Sequence, residues 1–382
     1  MNKAYIIGIG QTAVSESWDK SLKELAGDAG LMAIEDAGIG YPDGLFVGNM
    51  MAITANHQAQ FGTLMADWLG FHHKPALSIE TACSSGSAAF RMALMAIASG
   101  EMETALVIGA EKMTDSPGSE ITASLATAAD AELEADFGLS FVGLNALLMR
   151  RYMHEYGWKH EDFSGFSINA HANAIHNPNA RFQEPITRES FSRSPMISDP
   201  INLLDASPVS DGAAAIVLSA RPNQNGRKPV SVVASSSMTD TLSLQNRKLG
   251  TRLTAAEISA KAAYAQSGLS PSDMGFFEYH DAFSIMAALS LEAAGFCGPG
   301  EGPRLALEGK IKIDSEIPVA TMGGLKARGH PVGATGVYQL VEATLQLQGL
   351  AGQTQVKHNR YGMTQNIGGS GSNIVTHILQ SG

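Results

Sequence analysis

Ile79-Glu80-Thr81-Ala82-Cys83-Ser84-Ser85-Gly86-Ser87-Ala88-Ala89-Phe90 is followed by an apolar, small-residue run, Met92-Ala93-Leu94-Met95-Ala96-Ile97-Ala98, and then by Ser99-Gly100. The run predicts a buried helix over 84–98, with Gly100 as its C-terminal stop and Cys83 on the turn just before it. The positive end of a helix favours a thiolate, which is the reactive form of cysteine. Gly86 and the two serines leave room for a ligand to approach the backbone. An isolated cysteine is more often a small buried core residue, so the rest of the chain must decide what this one does.

Outward from this stretch, the order of elements repeats. Ala4 to Ile9 reads as a strand, a helix starts near Ser21, and a turn at Ala37-Gly38 leads to Asp43 and a strand around Leu45 to Val47. In the second half Val230 to Ser235 reads as a strand and Ala255 to Gln266 as a helix, before Gly268, Asp273 and the strand Phe276 to Tyr279. Gly38, Asp43 and Phe46 match Gly268, Asp273 and Phe276 at one offset of 230 residues, which indicates an internal duplication. Both halves close on a Gly/Ser-rich strand, 210–218 and 368–375. Strands alternating with helices predict an α/β architecture of two similar halves. They divide as 1–222 and 223–382, with a polar join near 219–228 that contains Pro222, Asn223, Asn225 and Gly226. Residues from about 114 to 205 have no counterpart in the second half and predict an insertion that covers a site.

Composition narrows the function. The chain has 382 residues, 44% hydrophobic and 16% charged, with 40 glycines, as expected of a compact enzyme rather than a disordered chain. A net charge of −11 argues against nucleic acid as a general partner. Two cysteines, Cys83 and Cys297, suggest neither a disulfide framework nor a zinc cluster. His171 and His176, five apart, do not share a helix face as metal ligands would. The chain reads directly into a strand without a secretory pattern and has no apolar run of membrane-spanning length, so the expected compartment is cytoplasmic. Gly8-Ile9-Gly10-Gln11-Thr12-Ala13 formally fits a dinucleotide fingerprint, but that motif needs a helix opening at its glycines, and 14–19 reads as loop.

Three stretches of the second half carry unusual chemistry. Glu278-Tyr279-His280-Asp281-Ala282-Phe283 ends a strand with a histidine and an acid. Gly323 to Gly336 is a glycine-dense loop holding His330, and Asn366-Ile367-Gly368-Gly369-Ser370-Gly371 is a second glycine loop. A thiol, two histidines at element ends and two flexible loops together supply the parts for covalent acyl transfer: nucleophile, proton acceptor and backbone N–H groups for an oxyanion.

On these residues the chain resembles a thiolase of the sterol-carrier-protein type found in bacteria and archaea. Glu80 to Gly86 resembles the nucleophile motif, and Val107 to Met113 the strand after it. His171 to Ala180 and Asp205 to Gly212 resemble further thiolase passages, and Gly323 to Gly336 resembles the Gly-His-Pro motif. The resemblance implies the thiolase fold, duplicated halves in five αβαβα layers, and a homodimer or dimer of dimers. It implies a coenzyme A thioester as substrate, with no permanently bound cofactor. By position, Cys83 would be the acylated nucleophile, His330 its activator, and His280 a donor in the first oxyanion site. The N–H groups of Cys83 and Gly368 would form the second oxyanion site, with Asn366, Gly369 and Phe283 lining the substrate pocket.

The resemblance breaks at one place. Most thiolases carry a second cysteine that exchanges a proton with the substrate α-carbon; here Asn366 and Ala282 stand at the two family positions, and Cys297 matches neither. His280 could serve as the carbon acid's base, with an ordinary imidazole pKa near 6.5. Relatives lacking the second cysteine include thiolases and acyltransferases that work in complexes with a small OB-fold, zinc-ribbon protein, so the resemblance admits such a partner for this chain. Two other readings stay open: a retro-aldol lyase acting on a CoA-bound side chain, and a non-catalytic acyl-CoA-binding scaffold.

Overall fold

The computed structural model describes residues 4–222, 226–248 and 250–382; Asn223 and Asn225 of the expected join lie outside the described residues. The first half runs β1 (Tyr5–Gln11), α1 (Leu22–Ala37), β2 (Gly44–Gly48), α2 (Phe61–Trp68), β3 (Ala76–Ile79), α3 (Ser85–Ser99) and β4 (Thr104–Glu111). Then come α4 (Gly118–Ala126), α5 (Phe141–Tyr156), α6 (Ser164–Ala174), α7 (Arg188–Ser192) and the small hairpin β5 (Met196–Ser198) and β6 (Ile201–Asn202), before β7 (Gly212–Ser219). The second half runs β8 (Val230–Thr239), α8 (Thr254–Ser267), β9 (Phe276–Glu278), α9 (Ser284–Ala293), α10 (Gly302–Leu307), α11 (Thr335–Gln348), β10 (Tyr361–Gly368) and β11 (Asn373–Ser381).

Nine strands pair in the order β3-β2-β4-β7-β1-β8-β11-β10-β9. The order on one side of the β1–β8 contact is repeated on the other, and an isolated parallel bridge from Phe277 to Val319 stands where the first half has β3. Among the described residues the two sides pair Tyr5 with Ser231 and Ile6 with Val230, and the Val232 N–H donates to the Ala4 carbonyl at 2.9 Å. Gly38 and Gly268, matched in the sequence, cap α1 and α8 in the same left-handed conformation, at φ of 65° and 71°. α1 is held at its start by Ser21, which accepts from Glu24 N–H while the Glu24 carboxylate accepts from Ser21 N–H.

Hydrophobic burial separates the layers. α1 and α2 pack on the outer face of the first half, around Leu25, Ala29, Phe61 and Met65. α8 and α9 cover the outer face of the second half, around Ala256, Ala260, Ile285 and Leu289. α3 and α11 touch each other and strands of both halves, so they form the middle layer, with Phe90, Ala93, Val337 and Leu340 between the faces. This is the αβαβα layering. Gly8 and Gly10 serve the packing of β1 on α1: a Cβ at either would meet a helix carbonyl oxygen, at 2.2 Å from Ala33 and 2.3 Å from Ala29.

The final strand differs from its sequence reading. Residues 368–372 form a tight turn instead of its first half, because Gly369 and Gly371 take positive φ, 59° and 103°, and the N–H groups of Gly371 and Ser372 donate to the Gly368 carbonyl. No helix among the described residues is long and apolar enough to cross a membrane.

Candidate active site

The duplication places the chemistry. In the middle layer, the turn before α3 carries Cys83 and the loop before α11 carries His330, so the two sit at equivalent places in the two halves. His280 follows β9, and Asn366 lies near the end of β10, which runs parallel to β9. Ligand sites of α/β folds gather at such carboxyl ends of parallel strands.

Cys83 sits on a sharp turn. Ala82 holds φ of 53°, a left-handed conformation that costs a non-glycine residue roughly 1–2 kcal/mol. Local hydrogen bonds fix it: the Ala82 N–H donates to Glu80 Oε1 at 2.5 Å, and the Ser85 hydroxyl donates to the Ala82 carbonyl at 2.6 Å. The Ser84 hydroxyl donates to the Thr81 carbonyl at 2.6 Å. The sulfur faces the N–H groups of Cys83 itself and of Gly369, within an apolar wall of Met51, Met113, Ile121 and Val332. Ile121 belongs to α4, so one helix of the 114–205 stretch contributes to that wall.

The helix-end argument for a resting thiolate does not survive this burial. The thiol is pushed up from 9.0 to about 12, first by burial and then by the nearby Glu111 carboxylate, against the help of the two N–H groups. That displacement corresponds to roughly 4 kcal/mol against the thiolate, and a helix terminus contributes only about 0.3–1 kcal/mol. Cys83 therefore rests as a thiol and needs a neighbouring base.

The fold brings that base. One ligand atom each of Cys83, His280 and His330 lie within 4.8 Å of one another, and all three residues are buried. The imidazole rings cross edge-on, with centroids 5.2 Å apart. His330 Nδ1 lies 2.6 Å from the Thr335 hydroxyl, which in turn donates to the Pro331 carbonyl at 3.3 Å. That chain puts the proton of His330 on Nδ1 and leaves Nε2 an acceptor. His280 is arranged in the opposite sense. Its Nδ1 accepts from the Asn366 amide at 3.1 Å and from the Ile367 N–H at 3.4 Å, so its proton is on Nε2. Both rings are held neutral, chiefly by burial: His280 falls to about 3, helped by the Arg328 charge, and His330 falls well below 6.5, helped by His280 and Arg328.

The other residues singled out in the sequence fall around this trio. Asn366 is fully buried and orients His280 through its amide NH2. A Cβ at Gly368 would be 2.3 Å from the Thr81 carbonyl, so that backbone passes directly against the cysteine turn, while the N–H facing the sulfur is that of Gly369. Phe283 packs into the core around α9 rather than into the wall beside the sulfur. Cys297 is half-buried in the loop after α9, packed against that same core and outside the trio.

Three features escaped the sequence reading. Glu111, at the end of β4, accepts from Met50 N–H and Met51 N–H at 3.0 Å each, from the Asn49 amide at 2.8 Å and from Gly333 N–H at 2.9 Å. It ties the first half to the His330 loop, and burial raises it to about 7 despite those donors. Thr335 sets the His330 tautomer. Arg328 is wholly buried, 3.4 Å from Glu342 and over the Tyr338 ring at 4.9 Å, with Glu278 and Asp281 nearby. A carboxylate ending an apolar strand, as Glu111 does, is the one signal that could have been read in advance.

The comparisons with known proteins agree with this architecture. The family model "Thiolase, N-terminal domain" matches residues 4–222 and "Thiolase C-terminal domain-like" matches residues 236–381. An acetyl-CoA acetyltransferase of Methanothermobacter thermautotrophicus is 42% identical over 99% of this chain and all of its own length. Sterol carrier protein 2 of Bos taurus is 30% identical over 98% of this chain and 72% of its own. The solved structure of an Ltp2-ChsH2(DUF35) aldolase superposes with a TM-score of 0.86 at 27% identity, covering 100% of this chain and 98% of that one. With both halves of its length matched in this way, the chain belongs to the thiolase family.

Proposed function

We propose that the chain is a thiolase-type acyltransferase. Cys83 takes an acyl group from a coenzyme A thioester and passes it to the α-carbon of a second acyl-CoA; in reverse, CoA cleaves a 3-ketoacyl-CoA. The observation that carries this reading is the buried trio of Cys83, His280 and His330 within 4.8 Å, its two imidazoles in complementary tautomers. The archaeal acetyl-CoA acetyltransferase, similar over its whole length, supports the same chemistry.

In this reading a single base serves both half-reactions. His330 Nε2 takes the Cys83 proton as the sulfur attacks the thioester carbonyl, and returns it to the departing CoA sulfur. With Cys83 acylated, His330 Nε2 takes the α-proton of the second thioester, and the resulting enolate carbon attacks the acyl-sulfur carbonyl. Collapse breaks the carbon–sulfur bond, and the leaving Cys83 thiolate regains its proton from His330. The Nε2–H of His280 faces the developing enolate oxygen, while the N–H groups of Cys83 and of the Gly368–Gly369 turn face the oxyanion of the acyl group. Histidine thus does the work of the absent second cysteine, and it is His330, not His280, whose free lone pair suits the role.

The second reading, a lyase, has one observation in its favour, the likeness to the Ltp2-ChsH2(DUF35) aldolase. The two-component name of that neighbour supports a partner protein for this chain, and the family resemblance supplies the small OB-fold, zinc-ribbon type of partner. We further propose a homodimer formed along the free edge of β3, where Leu77 is 51% exposed and α3 also leaves Met92 and Met95 exposed, and a division of the chain at 222/223. Intact mass spectrometry after incubation with acetyl-CoA, followed by peptide mapping, tests the acyl transfer. An acetyl group on Cys83 is expected. Its absence with every short acyl-CoA, with and without a co-purified partner, would transfer the weight to the lyase.

A further inference from the structure

We propose that Cys83, His280 and His330 also form a binding site for a soft divalent metal ion, zinc foremost, and that its occupancy stops acyl transfer. The binding rests on geometry alone; only the inhibition rests on the acyl-transfer reading.

One thiol and two imidazoles are a donor set that suits zinc. Zinc sites with three protein ligands keep a fourth position for water, and their ligand atoms lie about 3.3–3.6 Å apart, as bond lengths of 2.0–2.3 Å require. The three donors here are within 4.8 Å of one another, and all are buried. Closing the set takes about 1 Å of side-chain movement. The protein environment around the ligands also fits. Metal-bound histidines donate their second N–H to a protein acceptor, and His330 Nδ1 already does so to Thr335.

His280 is the informative member. To offer Nε2 to a metal it must carry its proton on Nδ1, where the Asn366 amide now donates. The Asn366 carbonyl oxygen, Oδ1, is buried and has no hydrogen-bond partner within the described residues. Turning that amide over presents Oδ1 to Nδ1–H, and the same side chain then supports the metal-ready tautomer at the loss of the Asn366 NH2 contact and of the longer Ile367 N–H contact to Nδ1. Asn366 thereby serves as a two-position support: donor for catalysis, acceptor for metal. On binding, the Cys83 S–H bond breaks, an S–metal bond forms, and one proton leaves to solvent per ion.

The test uses the full chain, reduced and stripped of metal by a chelator, titrated with Co²⁺ as a spectroscopic stand-in for Zn²⁺. One Co²⁺ per chain is expected, with a thiolate-to-cobalt charge-transfer band in the near ultraviolet and the strong visible bands of tetrahedral cobalt. Cys83→Ala should lose the charge-transfer band, Cys297→Ala should keep it, and Asn366→Asp, whose carboxylate can only accept from Nδ1–H, should bind about 10-fold more tightly. No band in the wild type, or an undiminished band in a Cys83→Ala protein whose circular dichroism is unchanged, would overturn the site. Zinc should then block acetylation of Cys83 in the mass assay. A cobalt band together with no acetylation in metal-free enzyme would count against acyl transfer but not against the site; acetylation without a cobalt band would do the reverse.

Discussion

His330 Nδ1 lies 2.6 Å from the Thr335 hydroxyl, and four residues of chain separate a side chain proposed to move protons from the one that decides where its proton sits. Because the hydroxyl donates onward to the Pro331 carbonyl, it can only accept from the imidazole. Thr335→Val keeps the shape and removes the acceptor. An N–H left unpaired in a buried site costs about 1–3 kcal/mol, enough to shift His330 to the other tautomer. Acylation of Cys83 should then slow about 10- to 100-fold in stopped-flow measurements, and Thr335→Ser should restore most of it. Equal impairment of the two variants would show that Thr335 only packs.

His280 is expected to act as a donor, with its Nδ1 already occupied by Asn366 and Ile367. Removing one oxyanion donor costs roughly 100- to 1000-fold in other enzymes, so His280→Ala should lower the condensation rate by about that much. His280→Asn, which keeps an N–H donor, should be less impaired. If the carbon–carbon step in His280→Asn is as slow as in His280→Ala, while His330→Ala retains α-proton exchange into solvent deuterium, then His280 is the base and the roles are reversed.

Local signals in the chain were legible before the fold. Gly38 and Gly268 read as equivalent positions of a duplicated unit, and both adopt left-handed helix caps. The small residues around Cys83 read as a turn into a buried helix, and the glycine loop of His330 as a flexible approach to a site. What was not legible depends on which surfaces meet. Glu342 would ordinarily mark the wet face of α11, but α11 is packed against strands of both halves, so its carboxyl is buried beside Arg328 and burial raises it to about 8. The Cys83 thiol shows the same limit. A helix terminus is visible in the sequence, whereas the desolvation that outweighs it comes from Met51, Met113, Ile121 and Val332, four residues scattered along the chain.

Glu111 joins the halves at the site, with four N–H donors converging on one carboxylate. Glu111→Gln keeps the volume but turns an NH2 group toward those donors. A hydrogen bond to a charged group contributes about 1.5–3 kcal/mol, so a loss of about 2–3 kcal/mol in urea unfolding is expected. Because Gly333 is one of the anchored residues, the variant should also weaken the hold on the His330 loop, read as faster amide hydrogen exchange at Gly333 and its neighbours. Unchanged exchange there would mean that the loop is positioned from α11 alone.

Asp211 supplies a pH signature of its own. It is fully buried at the start of β7 and accepts from Lys112 Nζ at 2.8 Å, Met113 N–H at 2.6 Å, Thr114 N–H at 3.0 Å and Ser17 N–H at 2.9 Å. Burial alone would raise its pKa, but the lysine and the N–H donors outweigh it and hold the carboxyl below its ordinary 3.8. A carboxyl depressed in the folded state contributes stability that is fully present above its unfolded pKa and is lost as pH falls through the folded value. Asp211→Asn leaves Lys112, among the described residues, with the half-exposed Asp115 as its ionic partner, so a loss near the low end of the 3–5 kcal/mol typical of a broken buried pair is expected, about 3 kcal/mol. Urea unfolding followed from pH 7 downward should show a constant gap between wild type and variant until about pH 4, and a narrowing gap below it. A gap that instead narrows between pH 8 and 6 would assign the effect to a group other than Asp211.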